Sequence, residues 1–301
     1  MKNLLPTFIT SLFTLGIIFS SCAQNRKEPK AFRLPEIPSV LVVPQERAAY
    51  LAIHYWDHFD FTDTALIDMP EITEQAFADF LGILPYTDRA QEAVDTLFRR
   101  AAAEKEMLYH FISLSDKYLY EPNSPMRNED LYILVLRTLV AQPTMDDTDK
   151  IRPRHLLKMV LRNRPGDTAA DFDYLLRNGS RGRLSKIEAE YTLLYFNDPD
   201  CGDCRRVKEF LTASETINSL LKTGQLALLS VCVEGRTPSW QSSTLPDGWI
   251  NGCDEGQRLT REEVYDLKAM PTLYLLDADK KVILKDAFPK QIEAWLAEQC
   301  N

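Results

Sequence analysis

The sequence predicts two fold classes in series, a helical bundle over 44–163 followed by an α/β sandwich over 165–301. Three observations predict it. Apolar residues recur at helical spacing through the first half, and the period changes after Asp167. From there short apolar runs alternate with helical stretches in the order β–(β)–α–β–α–β–β–α, the pattern of a sheet covered by helices.

The first half supplies four or five helices. Pro44 opens one with Ala48, Leu51, Tyr55 and Phe59 on a single face. Phe77, Phe80, Leu81 and Leu84 mark a second. Thr87 is the expected cap of a long third helix carrying Val94, Leu97, Ala101, Leu108, Phe111 and Tyr118, which must stop before Pro122. Asn128 caps "EDLYILVLRTLVA", apolar nearly all round and therefore central. A fifth runs from about Pro153 to Arg162, where "NRPGD" ends it. Tyr50, Tyr55, Trp56 and Phe59 read as core or interdomain packing. His54 and His58 share a helix face, but no third metal ligand is marked.

In the second half, "DFDYLLRNGSRGRLSKI" reads as a hairpin turning at Asn178-Gly179. "EYTLLYFND" and "QLALLSVCV" are apolar enough for strands buried inside a sheet. "TREEVYDLK" reads as a short helix, "TLYLLD" and "KVILKD" as strands joined by "ADKK", and "PKQIEAWLAEQ" as a closing helix.

Residues 1–21 combine Lys2, an apolar run from Leu4 to Phe19 and small residues before Cys22. The run is short for a membrane span and reads as a secretory signal. Ser20-Ser21-Cys22 resembles a bacterial lipoprotein signal, which implies lipidation of Cys22; an ordinary cleaved signal is the other reading. The proline-rich stretch 22–43 is expected to be a tether. Loss of 1–21 removes Lys2 and no acid, leaving 34 basic against 44 acidic side chains and a net charge of −10. No basic stripe marks a nucleic-acid surface. The expected location is the cell envelope, lipid-anchored in the outer membrane and facing the periplasm.

The chemistry centres on "FNDPDCGDCRRVKEF". By itself Cys201-Gly202-Asp203-Cys204 could be a redox couple, half a zinc site completed by Cys232 and Cys253, or a structural staple. Its setting favours redox work: it follows a strand and opens a helix, where free N–H groups stabilise an anionic sulfur. Cys201 is then the nucleophile and Cys204, one turn in, the resolving thiol. Cys232 ends a strand and Cys253 sits in the loop "WINGCDEG"; they are either a structural disulfide or two independent thiols. Cys300 is expected to be a free thiol. Trp240 and Trp249 either shape the rim of the site or simply pack.

With Met270-Pro271-Thr272 ahead of the strand "TLYLLD", the C-x-x-C resembles the thioredoxin fold over about 165–299. The entry hairpin is similar to that of the TlpA/ResA-like envelope thiol-disulfide oxidoreductases. The helical half resembles a domain of unknown function found on envelope thioredoxin-like lipoproteins. The resemblance implies a cis-proline at Pro271 facing the dithiol, and a Met270 backbone open to an extended partner strand, with Thr272 beside them. It implies no cofactor beyond the dithiol, and a DsbD-like membrane electron donor. The chain departs from the family at Asp200, where tryptophan is usual, and at Tyr195 and Val207, where relatives keep a carboxylate. Asp200, Asp203 and Glu209 are the candidate substitutes. The aspartates at 198, 200 and 203 are expected to raise the Cys201 pKa and make the couple more reducing. The expected function is therefore a periplasmic, membrane-anchored reductant of protein disulfides; the alternative is a non-catalytic envelope scaffold with a vestigial redox domain.

Overall fold

The computed structural model describes residues 30–299, so the signal segment, Cys22 and Cys300 lie outside the described residues. Six helices come first: α1 Pro44–His54, α2 Thr73–Ile83, α3 Ala90–Ala101, α4 Lys105–Ser115, α5 Glu129–Ala141 and α6 Ile151–Val160. Pro44 suits the first turn of α1, where its missing N–H would have no partner. Asn128 caps α5 as expected, its Oδ1 accepting the Leu131 N–H at 3.1 Å. The single long helix expected from Thr87 is instead two, α3 and α4, broken at 102–104 and followed by a π-helical turn at Asp116–Tyr120. Thr87 caps neither; its Oγ1 accepts the Arg89 N–H at 3.0 Å.

The apolar faces of the bundle converge on Trp56, which has no exposed surface. Its ring lies 5.2 Å from Tyr55, 5.7 Å from Phe80 and 5.2 Å from Phe111. Phe32 joins the same cluster, 5.0 Å from Tyr55 and 5.4 Å from Trp56. The expected tether is therefore pinned to the bundle at Phe32, because an aromatic side chain gains more from burial here than from water.

The second half is one seven-stranded sheet. Its elements are β1 Asp173–Leu176, β2 Arg181–Arg183, β3 Tyr191–Asn197, α7 Gly202–Ala213, α8 Glu215–Thr223, β4 Leu226–Cys232, α9 Pro238–Ser242, β5 Ile250–Cys253, α10 Arg258–Arg261, β6 Thr272–Leu276, β7 Val282–Lys285 and α11 Pro289–Gln299. The strand order is β2-β1-β5-β4-β3-β6-β7. The three central strands β5, β4 and β3 run parallel, and antiparallel pairs close both sides. β3 is buried on both faces, which explains its unbroken apolar run. Leu193 and Tyr195 pack with residues of α7, α8 and α11 on one face; Leu194 and Phe196 pack with Phe172 and Tyr265 on the other.

Two boundaries differ from expectation. Cys253 closes strand β5 and is not in a loop. The helix expected over "TREEVYDLK" does not form; the helix there is α10, which starts earlier, where the Asp254 carboxylate accepts the Leu259 N–H at 2.7 Å, and ends at Arg261. Glu263 adopts a left-handed φ of 52° just after it, which a continuing helix forbids.

Candidate active site

β3 delivers the chain to a polar turn at 198–200. Asp198 builds that turn: its Oδ1 accepts the Asp200 N–H at 3.0 Å and its carbonyl accepts the Cys201 N–H at 3.1 Å. α7 then begins, with Cys201 in the capping position. Its sulfur accepts the Cys204 N–H at 3.2 Å, the place where a capping oxygen would normally sit. A negative sulfur there gains from the free N–H groups and the helix dipole.

Cys201 is half-exposed, whereas Cys204 is buried. Burial pushes the Cys204 thiol well above its ordinary pKa; the Asp198 N–H, 3.5 Å from its sulfur, opposes this, and the Asp198 charge adds to it. The two sulfurs therefore differ in kind: one accessible and helix-capped, one shielded and protonated.

Across from them lies the Met270–Pro271 bond, which is cis. The Cys201 thiol donates to the Met270 carbonyl at 3.5 Å. Thr272 Oγ1 donates to the Ala269 carbonyl at 2.7 Å, closing the turn, and Thr272 pairs with Phe196 in the β6–β3 ladder. Cys201, Cys204, Met270, Pro271 and Thr272, singled out in the sequence from positions some 70 residues apart, thus converge on one site.

The remaining candidates fare differently. Asp200, Gly202 and Asp203 are exposed on the turn and first turn of α7, and Asp203 pairs with Arg206 at the surface, an interaction of little energetic weight. Glu209 is exposed on a later turn. Tyr195 fills the place of the family carboxylate with a phenol that stays protonated, since burial raises its pKa. Its hydroxyl donates to the Cys204 carbonyl at 2.6 Å and so ties the first turn of α7 to the sheet. Val207 is half-buried against the same face. The carboxylate whose charge acts on Cys204 is that of Asp198, and it acts on Cys232 as well. Its signal in the sequence was the Asp-Pro-Asp turn chemistry.

Cys232 and Cys253 stand directly opposite each other on β4 and β5. Both are free thiols, so no disulfide joins them in this structure. Burial raises each thiol to about 11. Trp240 packs on this pair and donates from Nε1 to Asn251 Oδ1 at 2.8 Å; Trp249 packs on Tyr195 at 6.2 Å. Both tryptophans are buried. His54 bonds Asp57 at 2.8 Å, and among the described residues no three His, Cys, Asp or Glu side chains gather as a metal would require. No described helix is long and apolar enough to cross a membrane.

Residues 10–163 match the family described as a domain of unknown function, DUF5106. The chain is similar to a thioredoxin-like protein from Bacteroides caccae whose crystal structure is known: 41% identity over 89% of this chain and 99% of that one, with a TM-score of 0.83. It is also similar to a Bacteroides fragilis protein of unknown function, at 34% identity over 44% of this chain and 98% of that one, TM-score 0.43. The C-terminal domain of an uncharacterized Bacteroides fragilis protein is 39% identical over 45% of this chain and 98% of its own length, TM-score 0.44. No curated protein matches the chain.

Proposed function

The chain belongs to the DUF5106 family and to the thioredoxin-like proteins, and on that premise we propose that it is a thiol-disulfide oxidoreductase that reduces protein disulfides. One observation carries the reading: a half-exposed cysteine sulfur caps a helix while facing the Met270 carbonyl and Pro271.

The exchange proceeds in two displacements. The Cys201 thiolate attacks one sulfur of the substrate disulfide, forming a Cys201–substrate bond and expelling the other sulfur as a thiolate that takes up a proton. Cys204 then loses its proton and attacks the Cys201 sulfur. The mixed disulfide breaks, the second substrate sulfur leaves as a thiol, and Cys201–Cys204 becomes the disulfide. Two electrons pass from the dithiol to the substrate. A dithiol donor must return them; by analogy with the family this is a DsbD-like membrane reductase. The Met270 backbone and Thr272 receive the partner as an added strand.

The anchor belongs to the same proposal: lipidated Cys22 would tether the enzyme to the outer membrane, facing the periplasm. The proposed exchange uses the Cys201–Cys204 dithiol and calls on no cofactor. Insulin reduction by the chain from Ala23 onward tests the reading. Wild type should precipitate the insulin B chain and Cys201→Ser should fall to the uncatalysed rate. Equal silence of both would favour a non-catalytic scaffold.

A further inference from the structure

The bundle and the sheet have separate apolar cores, and polar side chains join them. Some of those contacts fall on 285–288, and the others on one stretch, 263–268, which runs straight into Ala269, Met270 and Pro271. Lys158 of α6 pairs with Glu263 at 2.7 Å. Asn163 Nδ2 donates to the Val264 carbonyl at 2.9 Å, while its Oδ1 accepts the Ala170 N–H at 2.8 Å.

The deepest contact is the last. The Lys268 side chain is only 8% exposed. Its ammonium lies 3.1 Å from Asp286 Oδ2, 3.4 Å from Glu129 Oε1, 3.8 Å from Asp266 Oδ2 and 4.5 Å from the centre of the Tyr120 ring. Glu129 and Tyr120 come from the helical half; Asp266 and Asp286 come from the sheet half. Lys285 holds the other Glu129 oxygen at 2.9 Å, and Arg127 holds Asp286 at 3.2 Å. Three cations thus meet three carboxylates, and of the cations Lys268 alone touches all three acids.

A buried cluster of this kind adds little net stability, because desolvation offsets the attraction. What it does fix is position, since an ammonium taken out of water must stay with its partners. One residue, Ala269, separates that fixed point from Met270, whose carbonyl faces the Cys201 sulfur at 3.5 Å.

We propose that Lys268 is a positioning residue and that the DUF5106 half is the clamp that acts through it: Glu129 and Tyr120 hold the segment that presents Met270 and Pro271 to Cys201 and to the incoming partner strand. The proposal rests on the oxidoreductase reading and assigns the helical half its role in it. Protein substrates, which must pair with that segment, should depend on the clamp more than small disulfides do.

Amide hydrogen exchange and kinetics on full-length Lys268→Met, Glu129→Gln and Lys268→Arg test this. Exchange over 269–273 should rise about tenfold in the first two relative to the mid-sheet strand 226–232, and the double variant should add little to either single one. The KM for insulin should rise about tenfold more than the rate with the small disulfide 5,5′-dithiobis(2-nitrobenzoate) falls, and Lys268→Arg should recover most of it. If Lys268→Met does not fold, Glu129→Gln carries the test from the other half. Unchanged exchange over 269–273, or equal losses on insulin and the small disulfide, overturns the clamp. A wild type inactive on both disulfides would remove the oxidoreductase reading, and the exchange data would still decide the clamp.

Discussion

In the Cys204→Ser chain, partners should accumulate on Cys201 as mixed disulfides that survive non-reducing gels and disappear with a strong reductant. The effect follows from the division of labour between the two sulfurs. Cys201 is half-exposed and caps α7, so it can attack an incoming disulfide; Cys204 is buried. Once a mixed disulfide has formed, the Cys204 sulfur is held one helical turn from the bond it must break. Such placement corresponds to effective concentrations that reach roughly 10⁵ M for well-oriented groups. Serine cannot form the second disulfide, and resolution falls to whatever free thiol diffuses in. The lifetime of the adduct should lengthen by at least about a hundredfold. Cys201→Ser should trap nothing, and adducts forming equally on both variants would contradict the assignment of roles.

The largest stability effect is expected at Trp56. Trp56→Ala removes a fully buried side chain from a cluster that includes Phe32, Tyr55, Phe80 and Phe111. Core Trp→Ala replacements cost about 3–5 kcal/mol, through lost transfer energy and the cavity left behind. The lost edge-to-face ring pairs add to this at about 0.5–1.5 kcal/mol each. The indole Nε1 has no partner among the described residues, so removing it relieves a small buried penalty and sets the loss toward the lower figure. Because the sheet half has its own cores, urea unfolding monitored by circular dichroism should split into two steps, with only the helical step moved. A single transition with an unchanged midpoint would contradict both the cavity argument and the separateness of the cores.

The site was legible where the signal is local. A strand, a C-x-x-C and a helix start are contiguous, and Met-Pro-Thr lies directly before a strand, so the meeting of Cys201 with Met270 and Pro271 could be read from the chain. The break between α3 and α4 could not: it falls in an alanine-rich stretch with no glycine or proline to mark it. Asn251-Gly252 imitates a turn and hides the strand that Cys253 closes. Gly252 is there because the Tyr174 ring covers it, leaving only 2.9 Å for any added Cβ; Gly182 on β2 is covered by the same ring at 2.3 Å. The contact of Asp198 with Cys204 depends on how the turn folds, which the order of residues does not specify. The cluster around Lys268 draws Glu129 and Asp286 from positions more than 150 residues apart, and no local pattern announces it.

The proposed function requires that Cys201 and Cys204 form a reversible two-electron couple of reducing character. Burial keeps Cys204 protonated, so any thiolate stabilisation in the reduced pair is confined to Cys201 at the start of α7. Equilibration of the purified chain in glutathione and dithiothreitol buffers, followed by alkylation and mass measurement of the 201–204 peptide, reads the couple directly. The expected result is one disulfide between these two residues with a potential nearer the thioredoxin value of about −270 mV than the oxidase value of about −120 mV. A pair that never oxidises, or one that equilibrates near −120 mV, would contradict it.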